Sequence, residues 1–367
     1  MGRARVGAIL GVVAAVTVFV GVADAAVGAH PTATAGTNGR VNAIAFSGNL
    51  AYIGGQFTTA GTFTRNHAAA ININTGAVMG FNPNLNGTVQ AIAVSGSTVF
   101  LGGSFTQAGG KSAARLVAVN AQTGAMIWKA TLNAQVATLD VAHGNVYAGG
   151  YFTTANGSSR PYLAAFAATN GALSNTWKPT ADLEVKALAV TSDLSEVVIG
   201  GDFSQLNGQS GSHLGAVSAT SGATVSWHTH PHYQVITMAA DASGIFVGGG
   251  GGGGNFAKFS QSGSQQWQGG TDGNIQGITE LGGTVYVGGH YENYCGKGGG
   301  QHVCTSPTPR SKLLAVSTSS GDLQSWNPSA NSVLGVFSLA GTGATLGVGG
   351  DFTSTGQRSQ PHFALYK

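Results

Sequence analysis

One short phrase returns seven times along this chain, and nothing else in the sequence constrains its fold so strongly. It opens with an alternating apolar segment: VNAIAF from Val41, VQAIAV from Val89, VATLDV from Val136, VKALAV from Val185, VITMAA from Val235, IQGITE from Ile275 and VLGVFS from Val333. A second segment ends in Gly-Gly: AYIGGQF, VFLGGSF, VYAGGYF, VVIGGDF, IFVGGGG, VYVGGHY, LGVGGDF. A loop rich in Ser, Thr and Gly leads to a third: HAAAIN, RLVAVN, YLAAFA, HLGAVS, NFAKFS, KLLAVS, HFALYK. After a turn such as NTG or TSG, a fourth segment carries an aromatic: Phe81, Trp128, Trp177, Trp227, Trp267 and Trp326. Short β-branched or aromatic runs bounded by Gly, Asn and Ser turns are strand signals.

Four short antiparallel strands at a period of about 48 residues predict an all-β fold, a seven-bladed β-propeller. The blades would start near residues 41, 89, 136, 185, 235, 275 and 333. A solenoid of the same repeats would want distinct polar caps. This chain instead stops after its seventh third segment, HFALYK, while AVGAHP at 26–31 resembles AVMGFNP, the fourth segment of the first unit. The N-terminal strand is therefore expected to complete the last blade, closing the ring and removing the edge an open array would expose. Composition agrees. With 60 Gly among 367 residues and only 8% charged side chains, a helix bundle or coiled coil is excluded, because Gly is a poor helix former. No Gly-X-Y register allows collagen.

The Gly-Gly pair is expected to let neighbouring backbones approach and to permit unusual backbone angles. The aromatic two positions later (Phe57, Phe105, Phe152, Phe203, Tyr291, Phe352) should plug the gap between blades, and the fourth-segment Trp should pack the outer seam rather than stack on sugars. The recurring GG-x-F-T…LA-x-N…TG…W pattern resembles the Delta-60 repeat and the Rax2-like repeat of secreted bacterial β-propellers, across the chain beyond its leader. LVAVNAQTGAMIW, from Leu116 to Trp128, is also similar to the repeat of the pyrroloquinoline quinone type of quinoprotein. The first resemblance implies a secreted seven-bladed propeller and no particular activity. The second implies only the structural tryptophan turn. Quinoprotein enzymes resemble a larger wheel with a calcium site and adjacent cysteines, and this chain has no adjacent cysteines.

Arg3, Arg5, the apolar run Val6 to Val22 and Ala23-Asp24-Ala25 read as a secretory signal peptide cut after Ala25. The expected mature protein is extracellular, without a membrane span, and monomeric. Its charge is close to balanced (+3 with the leader) and its basic residues are scattered, so nucleic acid is not an expected partner. Cys295 and Cys304 are the only cysteines, and in an exported chain they are expected to form a disulfide. Free thiols or half a metal site are the alternatives.

In propellers generally, ligand sites lie on the face that carries the fourth-to-first and second-to-third connections. Departures from the repeat collect there on three consecutive units. WHTHPHY holds His228, His230 and His232 at alternate positions, which an extended strand points one way, as zinc or copper ligands need. Gly248 to Gly254 replace a loop with seven glycines; no Lys-Ser/Thr follows, so no phosphate loop forms. That connection is expected to be short and flexible and to open space. HYENYCGKGGGQHVC expands the same loop in unit six and brings His290, Tyr291, Glu292, Tyr294 and His302 beside the cysteines. A weaker ring of donors precedes each third strand: His67, Arg115, Tyr162, His213, Asn255, Lys312 and His362. The competing reading of that ring is a strand-start residue bonding its own loop.

No G-x-S-x-G elbow and no H-E-x-x-H occurs. A glycosidase needs two facing carboxylates. Only Asp202, Glu292 and Asp351 lie near the expected face, and the two aspartates suit turns. The reading is a secreted, non-catalytic propeller that binds an extracellular ligand or partner, glycan or cell-envelope material ahead of protein, through the loop face of units four to six. No cofactor is expected, with a bound divalent metal left open. The alternative is a secreted hydrolase or lyase acting on polysaccharide, using histidines and Glu292, with or without a metal.

Overall fold

The computed structural model describes residues 26–227, 231–298 and 304–367, and every regular element among them is a β-strand. No helix among them is long and apolar enough to cross a membrane. The expected signal peptide, His228, His230 and His302 lie outside the described residues.

The repeat folds as antiparallel sheets in which the second strand lies between the first and third. In unit two, Val89–Ser95 pairs with Thr98–Gly103, which pairs with Arg115–Asn120, which pairs with Met126–Thr131. Among the described residues there are seven such sheets and five two-stranded hairpins. Second and third strands are almost wholly buried, because each sheet is covered on both faces. Short continuous apolar runs are what such strands require. The first strands are Val41–Ser47, Val89–Ser95, Val136–Ala142, Val185–Val190, Gln234–Asp241, Ile275–Leu281 and Val336–Thr342. Each packs against the next in chain order, and Val336–Thr342 also packs against Val41–Ser47.

The Gly-Gly pairs explain that packing. A methyl on the first glycine would overlap the first apolar residue of the following unit: Gly102 on Val136 at 2.7 Å, Gly149 on Val185 at 2.5 Å, and Gly349 back on Val41 at 2.7 Å. A methyl on the second would strike the carbonyl of its own unit, as Gly55 would on Arg40. Close approach is therefore what the pair supplies. Unusual backbone angles are not, since none of these glycines has a positive φ. The following aromatic is buried against the preceding unit: Phe152 clusters with Trp128, Phe203 with Trp177, Phe352 with Trp326. The Trp residues are seam residues too. The indole N–H of Trp128 donates to Ala168 O (2.8 Å), that of Trp177 to Ser218 O (3.1 Å) and that of Trp267 to Thr318 O (3.0 Å), each in the next unit.

Four expectations need correction. The fourth segment is a full strand only in units two and five; units one, three and six make a single bridge (Ile71 with Val78, Phe166 with Leu173, Val316 with Leu323) before the chain turns its aromatic into the seam. The N-terminal segment likewise lies along the last strand without forming a regular one. Gly28 N–H donates to Lys367 O (3.0 Å), Thr32 N–H to Leu365 O (2.7 Å), and Trp326 to Gly28 O (3.0 Å). The seventh first strand starts at Val336 rather than Val333, because Val336 is the residue that faces Gly288. Val333 and Leu334 are exposed in the preceding turn.

The glycine run is the fourth case. Gly248, Gly249 and Gly250 end one strand and Gly254 starts the next, so only Gly251, Gly252 and Gly253 turn, all with positive φ. A methyl on Gly248 would overlap Ile275 and one on Gly254 would overlap Gly273 O. The segment is packed against unit six, with open space only at the turn. The expanded loop of unit six runs back over it: Asn293–Lys297 pairs with Gln265–Thr271 of unit five, and Thr308–Pro309 adds a further short strand. Cys295 and Cys304 form the expected disulfide in this strap.

Candidate functional site

Two cavities open at the end of the sheets where the chain enters each first strand. The first, about 380 Å³, lies on the seam of units five and six and is lined by Gly253, Asp272, Gly273, Asn274, His290, Tyr291, Glu292 and Lys312. It exists because unit five has a three-glycine turn where other units carry a hairpin such as Thr59–Ala60 with Phe63–Thr64.

Lys312 is the fixed point of this pocket. Its backbone is left-handed (φ 68°), its N–H donates to Tyr291 O (2.9 Å), and its carbonyl accepts from Gly289 N–H (3.1 Å). Its ammonium pairs with Glu292; the lysine side chain is 5% exposed and the glutamate 61%. That hydrogen bond holds the Glu292 carboxyl below the usual carboxylate range. Asp272 accepts from the N–H groups of Glu292 (2.8 Å) and Asn293 (2.9 Å) and from the Asn293 amide (2.7 Å). Burial pushes its carboxyl up, but the Asn293 amide and the two N–H groups outweigh it and hold it low. His290 is exposed at the rim.

The structure thus brings together His290, Glu292 and Lys312. It turns the two tyrosines inward: the Tyr291 hydroxyl donates to Val287 O (2.7 Å), and Tyr294 is buried against Phe256. His232 is exposed beside Tyr233 and does not line the pocket. No group of three or more metal-binding side chains occurs among the described residues.

The donor ring resolves as a backbone device. His67, Arg115, Tyr162, His213, Lys312 and His362 all have φ between 64° and 77°. Each N–H donates to the carbonyl of the aromatic after Gly-Gly, as His67 does to Phe57 O (2.8 Å) and His362 to Phe352 O (2.8 Å). Side chains fold back as well: His67 Nδ1 lies 3.1 Å from Gly55 O, His213 Nδ1 3.2 Å from Gly201 O, and Arg115 bonds Ser104 O. Asn255 departs from the pattern because the short glycine turn removes the loop; its amide oxygen accepts from Gln268 instead (3.0 Å).

A second register escaped the sequence reading. Before each first strand but that of unit five stands Asn38, Asn86, Asn133, Asp182, Asp272 or Asn331, three residues ahead of the opening apolar residue except in unit seven, where Val336 follows Asn331 by five. Each accepts two backbone N–H bonds from its unit's second-to-third connection, as Asn38 does from Thr58 (2.8 Å) and Thr59 (2.9 Å). Unit five has His232 there and lacks the hairpin. The signal is a recurring Asn or Asp a few residues before the first strand.

The second cavity, about 220 Å³, is lined by residues from all seven first strands. Each strand shifts register at the residue after its opening Val or Ile, a bulge that re-aims one side chain. Asn42, Gln90, Ala137, Lys186, Ile236, Gln276 and Phe337 are those residues, and every one lines the cavity. Ile44, Ile92, Leu139, Leu188, Met238, Ile278 and Leu339 line it as a second, apolar set two residues further along. Lys186 is neutralised by Asp202 at 2.7 Å. Arg40 stacks its guanidinium 4.4 Å from the Phe337 ring centre. A rim cavity of about 310 Å³ shares Gln90, Ala137, Lys186, Ile236 and Phe337 and adds Gln135 and Tyr151.

This architecture has counterparts. The WD40 β-propeller domain of Doa1 superposes with a TM-score of 0.62 at 11% identity, covering 92% of this chain and 96% of that one. The β-propeller domain of Myceliophteria thermophila Cps50 (Swd1) gives 0.58 at 9% identity, with 92% and 98% covered. The computationally designed protein Ika8 gives 0.57 at 12%, with 90% and 97% covered. The fold is a β-propeller. Residues 64–234, a little under half of the chain, match the family described as outer membrane protein assembly factor BamB, so the repeats are quinoprotein-like. No curated protein sequence matches the chain.

Proposed function

We propose that the chain is a secreted, non-catalytic propeller of seven blades that holds an extracellular ligand, glycan or cell-envelope material, in the pocket on the seam of units five and six. Segment 26–32 would close the ring on the last sheet. The packing of the last first strand on the first, and the bonds of Gly28 and Thr32 to the final strand, support that closure. The Cys295–Cys304 disulfide is consistent with an oxidising compartment.

The observation that carries the binding reading is the state of the carboxylates. A general acid for glycoside cleavage needs a raised pKa. Glu292 and Asp272 are both pulled the other way, Glu292 by a buried lysine and Asp272 by an amide and two N–H groups. Fixed charges and fixed amides of both signs suit recognition of a polar ligand. The test is a glycan array on wild type, Glu292→Gln and Asp272→Asn, with product analysis. Asp272→Asn restores the residue that four other units carry, so its fold is preserved. Binding that weakens about tenfold in Glu292→Gln, with no product from wild type, is expected. Product formation abolished in Glu292→Gln would establish the hydrolase or lyase instead.

A further inference from the structure

We propose that the mouth of the axial cavity is a second binding site, separate from the seam pocket, and that it takes the end of an uncharged oligosaccharide chain. Consecutive units six, seven, one and two place Gln276, Phe337, Asn42 and Gln90 side by side on bulged positions, an aromatic ring between carboxamides. The oxygens Asn42 Oδ1 and Gln276 Oε1 are buried and have no hydrogen-bond partner within the protein. A buried acceptor without a partner is costly, so each carboxamide gains a bond by turning its oxygen toward a donor in the mouth.

The chemistry of that donor follows from what surrounds it. A carboxamide both donates and accepts, and a hydroxyl does the same, so polyhydroxyl ligands satisfy such a wall in several orientations. The one cation lining the neck, Lys186, is already matched by Asp202. Arg40 holds its guanidinium over the face of Phe337 and does not line the cavity. The apolar set that includes Ile44, Leu188 and Leu339 gives a charged group nothing to bond further along. Tyr151, 41% exposed at the rim, offers an apolar ring to a sugar face. The rim cavity, about 310 Å³, stands at the low end of ligand pockets, room for a chain end rather than its length.

The test is saturation-transfer NMR and calorimetry on the full chain with neutral linear hexasaccharides of glucose, N-acetylglucosamine, mannose and xylose, at low salt and at about 0.5 M NaCl. Wild type, Gln276→Leu, Gln90→Ala and Glu292→Gln are compared, each with a melting curve. At least one hexasaccharide should bind with an affinity indifferent to salt and about tenfold weaker or more in both axial variants. The proposal is overturned if none of the four binds, if binding collapses in salt, or if Gln276→Leu and Gln90→Ala bind as wild type does. Loss in Glu292→Gln with retention in the axial variants would transfer the ligand to the seam pocket and leave that reading standing alone.

Discussion

At the scale of single residues, the repeat is held by side chains that are missing. The first glycine of each pair has no methyl because the neighbouring unit's Val or Ile occupies that space. Gly200→Ala should therefore destabilise the fold by about 1–3 kcal/mol, the usual cost of overpacking, since Val235 is fully buried and cannot withdraw. Chemical denaturation checks this, and an unchanged midpoint would mean that the sheets can slide apart at no cost. The pairing of glycine with close approach was legible in the sequence because all seven copies keep it. The Asn and Asp anchors were equally regular but went unread, since Asn before a strand looks like any turn residue. The bulged axial residues were harder still. Their types range from Ala to Phe, so in sequence they look like drift, and only the register shift shows that they share one place.

At the scale of elements, neighbouring units are joined by polar contacts as well as by packing. Asp140, on the first strand of unit three, accepts from Val190 N–H of unit four (2.8 Å) and from Val141 N–H (2.7 Å). Burial pushes its carboxyl above the ordinary 3.8, against the pull of those N–H groups. A carboxyl with a raised folded pKa is kept protonated by folding. Its cost to stability is absent below the unfolded value and appears as pH rises through and beyond it. The melting temperature of Asp140→Asn relative to wild type should accordingly rise between about pH 4 and pH 7, as the wild-type carboxyl ionises. Thermal melts across pH 3 to 8 measure it; an equal gap at both ends would show that the carboxyl does not titrate differently on folding. Element identity is legible for the first three strands of each unit, where the apolar runs of the second and third are almost wholly buried and the first alternates. The fourth segment was over-read, because one bridge and an inward aromatic need the same residue types as a short strand. The strap of unit six has the composition of a loop, although Asn293–Lys297 finds a sheet edge in unit five.

At the scale of the molecule, the proposed closed ring unites the two candidate sites. The seam pocket exists because one unit lost its hairpin, and the axial mouth exists because seven bulges point to one place. The axial mouth depends on the last sheet meeting the first. The N-terminal segment is the joint: Val27 is buried with Tyr286 and Trp326, and Gly28 receives the Trp326 indole N–H. Hydrogen–deuterium exchange at the amides of Gly28 and Thr32 tests that joint most directly. The account predicts that both exchange as slowly as amides inside the last sheet, because they donate to Lys367 and Leu365. Exchange at the rate of an unstructured peptide, with the rest of the sheet protected, would contradict it.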